Sequence, residues 1–277
     1  MQEPTVEDGR SRPATAGRSG RLRATTEARF LPLMAVSLVI LAVNGLVAIK
    51  QLGAPMPVTP WEAGISVEAW RSAHGQPPYG DIDRDAIAGH MYGPLATRLL
   101  GAVVSVAGFS TPATRVPSLV ASALLTVLLC KIGRVRGGVG WLCGVALVWG
   151  MDYRVSNIFA ENRPDAIAFL LAVAGLWGLA AGYGAGRVWP YVAGLFAVLA
   201  GFLFKQTAAV AAPIFLVALL IDVRRPWPRR LVLGVIPIAA VAALILGIKY
   251  SAPEAYRAIL WVPAQYRVDR REFAKLG

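Results

Sequence analysis

Charge is what this sequence has least of. Of its 277 residues only 16% are charged, against 56% hydrophobic, and the mean hydropathy is +0.55. That balance excludes both an ordinary soluble domain and a disordered chain, and leaves a polytopic membrane protein. Cysteine is nearly absent. Cys130 and Cys143 both fall inside apolar runs, which excludes a disulfide framework and reads as two packing thiols. The two histidines, His74 and His90, lack metal-ligand spacing, so polar contacts at the membrane interface account for them. No Gly-rich phosphate loop occurs, which argues against a nucleotide donor, and nothing repeats at a fixed period. Acidic residues number 16 against 28 basic ones, a net charge of +12. Without basic and aromatic interleaving, that excess reflects membrane topology and anionic lipid headgroups rather than nucleic acid.

What is present is a series of apolar runs able to cross a hydrocarbon core of roughly 30 Å. They cover residues 31–49, 116–132, 137–151, 166–182, 188–204, 208–221 and 231–248. The expected fold is therefore an all-α, polytopic transmembrane helix bundle of about seven spans, rich in the small residues that let helices approach in lipid. Residues 1–29, rich in Arg, Ser, Thr and Gly, read as a disordered basic cytoplasmic tail. The first run lacks a small-residue cleavage site and reads as an uncleaved anchor. Residues 30–248 form the transmembrane module, and 249–277 a C-terminal segment outside the membrane.

Orientation follows from the short loops. Lys131, Arg134 and Arg136 sit in one, and Arg224, Arg225, Arg229 and Arg230 in another, where the positive-inside rule expects cytoplasmic turns. The long first loop, 51–112, then faces outward. It has helical periodicity rather than low complexity: Trp61, Ile65, Ala69 and Ala73 recur every four residues, as in an amphipathic helix lying at the interface. A second amphipathic stretch follows Pro94. A loop this long and this rich in carboxylates and aromatics is the natural place for chemistry.

Glu62 is the sharpest residue in it. Thr59, Pro60 and Glu62 make a capping box, with Thr59 as N-cap and the carboxylate turned back on the helix start. Beside Trp61 and near lipid, the same carboxylate also suits a general base, because burial raises its affinity for a proton. Asp81, Asp83 and Asp85 imitate the start of a calcium loop, but Ala86 stands where Gly is needed and Tyr92 where Glu is needed. A looser divalent-metal site stays open there beside a plain solvated turn. Further along, Glu161, Arg163, Pro164 and Asp165 precede an apolar run. Pro164 suits a first helical position and Asp165 complements the positive helix end. Arg163 between two acids at a membrane surface is costly unless paired or used. Lys205, alone between two apolar runs, either snorkels or binds an anion. Both cations fall on the outward side, where a lipid-linked phosphate would arrive.

Taken in order, these pieces resemble a known group. An acid after the first span, then Gly75, Gln76, Pro77, Pro78, Tyr79, Gly80 and Asp81, then Tyr92, Gly93 and Pro94, resemble motifs of the GT-C superfamily of integral-membrane glycosyltransferases. Arg115 to Pro117, Arg163 to Asp165 and Lys205 to Thr207 complete the series, and the match runs from about residue 30 to 250. It is closest to the branch of protein O-mannosyltransferases and the aminoarabinose transferase of lipid A. The resemblance implies a sugar moved from a polyprenyl-phosphate carrier to a lipid, glycan or protein acceptor on the extracytoplasmic face of a bacterial plasma membrane. It implies inversion at the anomeric carbon, and it calls for no certain cofactor. Glu62 would be the catalytic base. Arg163 and Lys205 would hold the phosphate, Tyr92 and His90 would line the sugar pocket, and Glu161, Asp165 and Asp83 would be secondary acids. Two features depart from the pattern. Trp61 precedes Glu62 where many relatives carry an Asp-Glu pair, and relatives continue with further helices beyond the seventh run. A fragment, a minimal enzyme and an inactive relative all fit the second departure. The rival class is a transporter or lipid-handling protein, which a midplane ionisable residue or interrupted helix pair would favour; neither is evident.

Overall fold

The structure is a computed structural model, and it describes residues 31–57, 59–79, 92–135, 137–155 and 161–261. The expected N-terminal tail, Asp81, Asp83, Asp85 and His90 lie outside the described residues. Within them all regular structure is helical. The helices are α1 (Leu31–Gly53), α2 (Pro60–Ala73), α3 (Pro94–Ala107), α4 (Thr111–Ile132), α5 (Gly137–Val155), α6 (Asp165–Ala185), α7 (Val188–Phe204), α8 (Ala211–Ile221) and α9 (Trp227–Ser251). A 3₁₀ turn (Gln206–Val210) links α7 to α8, and short helical turns follow α9.

Each of the seven apolar runs is a helix, but they are not equivalent. Among the described residues four helices are long and apolar enough to cross a membrane: α1, α4, α6 and α9. At about 1.5 Å per residue, the 17-residue α7 and 11-residue α8 fall short of the roughly 30 Å core. Lys205 and its 3₁₀ turn interrupt what would otherwise be a longer helix, so hydropathy alone overstates the length of the seven spans.

Helices α6 and α7 form the centre, packed against each other more extensively than any other pair. Their contact depends on small residues. A Cβ on Gly178 would lie 2.9 Å from the Gly194 Cα, so the backbones nearly touch. Helix α4 lies against α6, with Ala121 and Leu125 clustered on Ala166, and it carries Thr114, Ser118, Ser122 and Thr126 as a buried polar stripe at four-residue spacing. Two of its hydroxyls are satisfied within the helix: Ser122 donates to the Ser118 carbonyl and Thr126 to the Ser122 carbonyl, both at 2.7 Å. Many apolar residues of α1, α4 and α9, such as Leu38, Val120 and Val232, are exposed, which fits a lipid-facing surface.

The amphipathic helices of the first loop pack against each other: Ile65 and Ala69 of α2 are fully buried against Ala96, Leu100 and Val104 of α3. The stripe at four-residue spacing is real, and its partner is the next helix. The last apolar run also extends further than expected, to Ser251, and Ala255, Ala258 and Ile259 beyond it join the main core.

Candidate active site

Four chain segments meet at the end of the bundle where α6 begins and α7 ends. The first is the start of α2. Thr59 is its N-cap, and its hydroxyl accepts from the Glu62 amide at 3.3 Å, as the capping pattern requires. The Glu62 carboxylate, however, turns to Arg115 in the first turns of α4. Arg115 Nε donates to Glu62 Oε1 and Nη2 to Oε2, both at 2.8 Å, a bidentate pair with no exposed surface on either side chain. The same guanidinium donates to the Gln51, Ala54 and Met56 carbonyls, closing the frayed end of α1. Glu62 Oε1 also accepts from the Asn162 amide at 3.0 Å. Both oxygens are thus engaged in a dry, paired environment, which suits a fixed anion better than a proton acceptor.

Asn162 bolts the second segment, 161–165, to this base. Its side-chain amide donates to Ser66 at 2.8 Å and Thr114 at 3.2 Å, and Ser118 donates to the Arg163 carbonyl at 2.6 Å. With the backbone fixed, the side chains of Glu161, Arg163 and Asp165 project to one place. Pro164 is the residue before α6 rather than within its first turn, which begins at Asp165.

The third segment is the break between α7 and α8. Lys205 is extended, with φ −154 and ψ 131, and its ammonium donates to Asp165. The fourth is Tyr92, Gly93 and Pro94. The Gly93 amide donates to the Phe204 carbonyl at 3.0 Å, filling an orphan acceptor at the end of α7. This approach is only open to glycine: a Cβ at position 93 would sit 2.0 Å from the Leu203 carbonyl oxygen. The contact holds the fully buried Tyr92 ring under Lys205, with Nζ 5.4 Å from its centroid. Tyr79 donates to the Tyr92 carbonyl at 2.9 Å.

The resulting cluster is under-satisfied. Arg163 reaches Asp165 at 3.3 Å and Glu161 at 3.7 Å, long for charge-assisted bonds, and it keeps some exposure. Asp165, Tyr92 and Glu161 outweigh the burial penalty on Arg163 and hold its charge more firmly than usual. The Tyr92 hydroxyl stands beside Arg163 but makes no well-formed hydrogen bond, and burial keeps it a neutral phenol. Glu161 accepts from the Thr59 hydroxyl at 3.3 Å. Burial pushes its carboxyl up to about 7, with Glu62 and Asp165 adding to the shift and Arg163 opposing it. A group balanced near neutrality can take and return a proton, and the adjacent cations can hold an anion.

Of the residues the sequence singled out, Glu161, Arg163, Asp165, Lys205 and Tyr92 come together. Glu62 lies just behind them, while His90 and Asp83 lie outside the described residues. Sequence reasoning noted Arg115 only as part of a motif and overlooked Asn162. A lone arginine in the first turn of an apolar helix was the available signal for Arg115. Among the described residues no group of three acidic, His or Cys side chains could hold a metal ion.

A family model described as dolichyl-phosphate-mannose-protein mannosyltransferase matches residues 92–249, more than half of the chain. The chain belongs to that family, and it is an integral-membrane glycosyltransferase of the GT-C type. The matched stretch opens on Tyr92 and includes Arg115, Glu161, Arg163, Asp165 and Lys205; Glu62 precedes it. No curated protein and no solved structure matches the chain.

Proposed function

We propose that this enzyme transfers a sugar from a polyprenyl-phosphate carrier to a hydroxyl acceptor at the outer face of a bacterial plasma membrane, with inversion. Mannose, the sugar in the family's name, is the first donor to test. The observation that carries this reading is the meeting of Glu161, Arg163, Asp165, Lys205 and Tyr92 at one end of the bundle. Arg163 and Lys205 bind the donor phosphate, and Asp165 positions both cations. Glu161 takes the proton from the acceptor hydroxyl, whose oxygen bonds to the anomeric carbon. The bond from that carbon to the phosphate oxygen breaks, and the electron pair leaves with the phosphate, stabilised by the two cations. A single displacement inverts the configuration.

Glu62, expected from the sequence to be the base, holds the platform instead: its engagement with Arg115 and Asn162 fixes the segment that carries Glu161. The basic turns at the far end support a topology of seven helices through the membrane, with 51–112 and the segment after α9 outside. The test is transfer from radiolabelled polyprenyl-phosphate mannose by the purified protein. Glu161→Gln should lose about 10²–10⁴-fold in rate while still binding the donor. Full-rate transfer by this variant would remove Glu161 from the mechanism. For the topology, a membrane-impermeant thiol reagent should label Gln76→Cys in intact cells and spare Arg224→Cys; the reverse pattern would invert the orientation.

A further inference from the structure

At the other end of α6, the turn into α7 and the first turns of α9 border an open cleft of about 250 Å³. Tyr183, Arg187, Tyr191, Arg229, Leu233 and Ile236 line it. The tyrosine hydroxyls are committed to the fold: Tyr183 donates to Asp222 at 3.1 Å and Tyr191 to the Leu233 carbonyl at 2.5 Å. Arg225 and Arg230 are likewise spent, on the Gly184 carbonyl and on those of Leu219 and Leu220. Arg187 and Arg229 are not. Neither side chain has an ion pair or hydrogen bond among the described residues, and both residues are exposed, with the Arg229 Nη2 4.0 Å from a Cβ position on Gly186. Asp222, the acid of the turn from α8 into α9, already accepts from Tyr183 and from the Arg224 amide.

Helix α6 has 21 residues, so this cleft lies about 30 Å from Asp165, one hydrocarbon thickness away. Trp189 and Trp227 stand exposed beside it, where indoles anchor at a headgroup layer. Its wall changes from guanidinium to Leu233 and Ile236, which matches a molecule with an anionic head and an apolar tail. Zwitterionic lipids would bring their ammonium against uncompensated arginines. We infer that Arg187 and Arg229 form a binding site for the phosphate of an anionic phospholipid in the leaflet opposite the reaction site.

The test is saturable binding of fluorescent phosphatidylglycerol to the detergent-purified full chain, with labelled phosphatidylcholine in parallel. Wild type should prefer phosphatidylglycerol. The double variant Arg187→Ala, Arg229→Ala should bind it on the order of thirtyfold more weakly, as expected for two charges near a headgroup. Lys131→Gln with Arg134→Asn removes the same charge from another turn at this end and should change affinity less than about threefold. An equal loss in both variants would replace the site with a diffuse charge effect. Equal binding of both lipids would overturn it as well, and so would displacement of the lipid by inorganic phosphate, since that marks a free-anion site. Unfolding temperatures in phosphatidylcholine check that the double variant folds. Should it not, Arg229→Ala alone, expected to lose about fivefold, carries the same comparison.

Discussion

Two ionic clusters lie side by side in this protein, built from the same residue types and behaving as opposites. In the first, Glu62 and Arg115 are wholly buried, bidentate at 2.8 Å, and completed by the Ala54 carbonyl just past α1 and the Asn162 amide. In the second, Arg163 is stretched between two carboxylates at 3.3 and 3.7 Å, the Tyr92 hydroxyl beside it makes no well-formed hydrogen bond, and burial pushes the Glu161 carboxyl up to about 7. A saturated pair stores structure, because nothing in it is free to move a proton or meet a ligand. An unsaturated cluster held rigidly by such a pair has donors to spare and cannot relax to satisfy itself. Proximity to the loop therefore does not make a carboxylate a base; the state of its partners does.

The largest effect should come from breaking the closed cluster. Arg115→Leu strands a buried carboxylate and should cost about 3–5 kcal/mol, seen as a large fall in unfolding temperature in detergent. Adding Glu62→Leu should recover much of it, since replacing both members of a buried pair is often nearly neutral. If Arg115→Leu alone is harmless, the two clusters do not differ in the way described. Next comes the open cluster. Arg163→Ala should leave unfolding nearly unchanged yet weaken donor binding by about ten- to a hundredfold, the worth of a hydrogen bond to a charged group. Unaltered donor affinity would take the phosphate away from Arg163. The smallest effect is expected for Gly93→Ala, which pushes a methyl into the Leu203 carbonyl. Overpacking of this kind costs about 1–3 kcal/mol. It should also part Tyr92 from Lys205, so donor binding should fall with stability; a stable variant with normal binding would show that the contact is dispensable.

Much of this organisation was legible in the sequence, for a physical reason. A run such as 188–204 becomes a helix because its apolarity and small residues leave no other way to satisfy the backbone in lipid. Tyr92, Arg163, Asp165 and Lys205 stood out because charged and aromatic residues are scarce here, so each had to be paired or used. The pairings were not legible. Glu62 and Arg115 are 53 residues apart, and Asp165 and Lys205 are 40 apart. Periodicity within one helix cannot report a partner on another. The same limit explains α2: its four-residue stripe announced a buried face but not whether lipid or α3 would cover it.

In the proposed reaction Glu161 accepts the acceptor's proton, and Glu62 holds the frame. The most direct test is the pH dependence of kcat/KM for sugar transfer, measured for wild type, Glu161→Gln and Glu62→Gln. Protonated Glu161 cannot act as a base, so the wild-type rate should rise with pH by about tenfold per unit below a midpoint near 7 and level off above it. Glu161→Gln should abolish that limb, whereas Glu62→Gln should lower the amount of folded enzyme and keep the limb, with its midpoint moved below the wild-type one because the Glu62 charge no longer raises Glu161. A limb that survives in Glu161→Gln and vanishes in Glu62→Gln would contradict the account and return the base to Glu62.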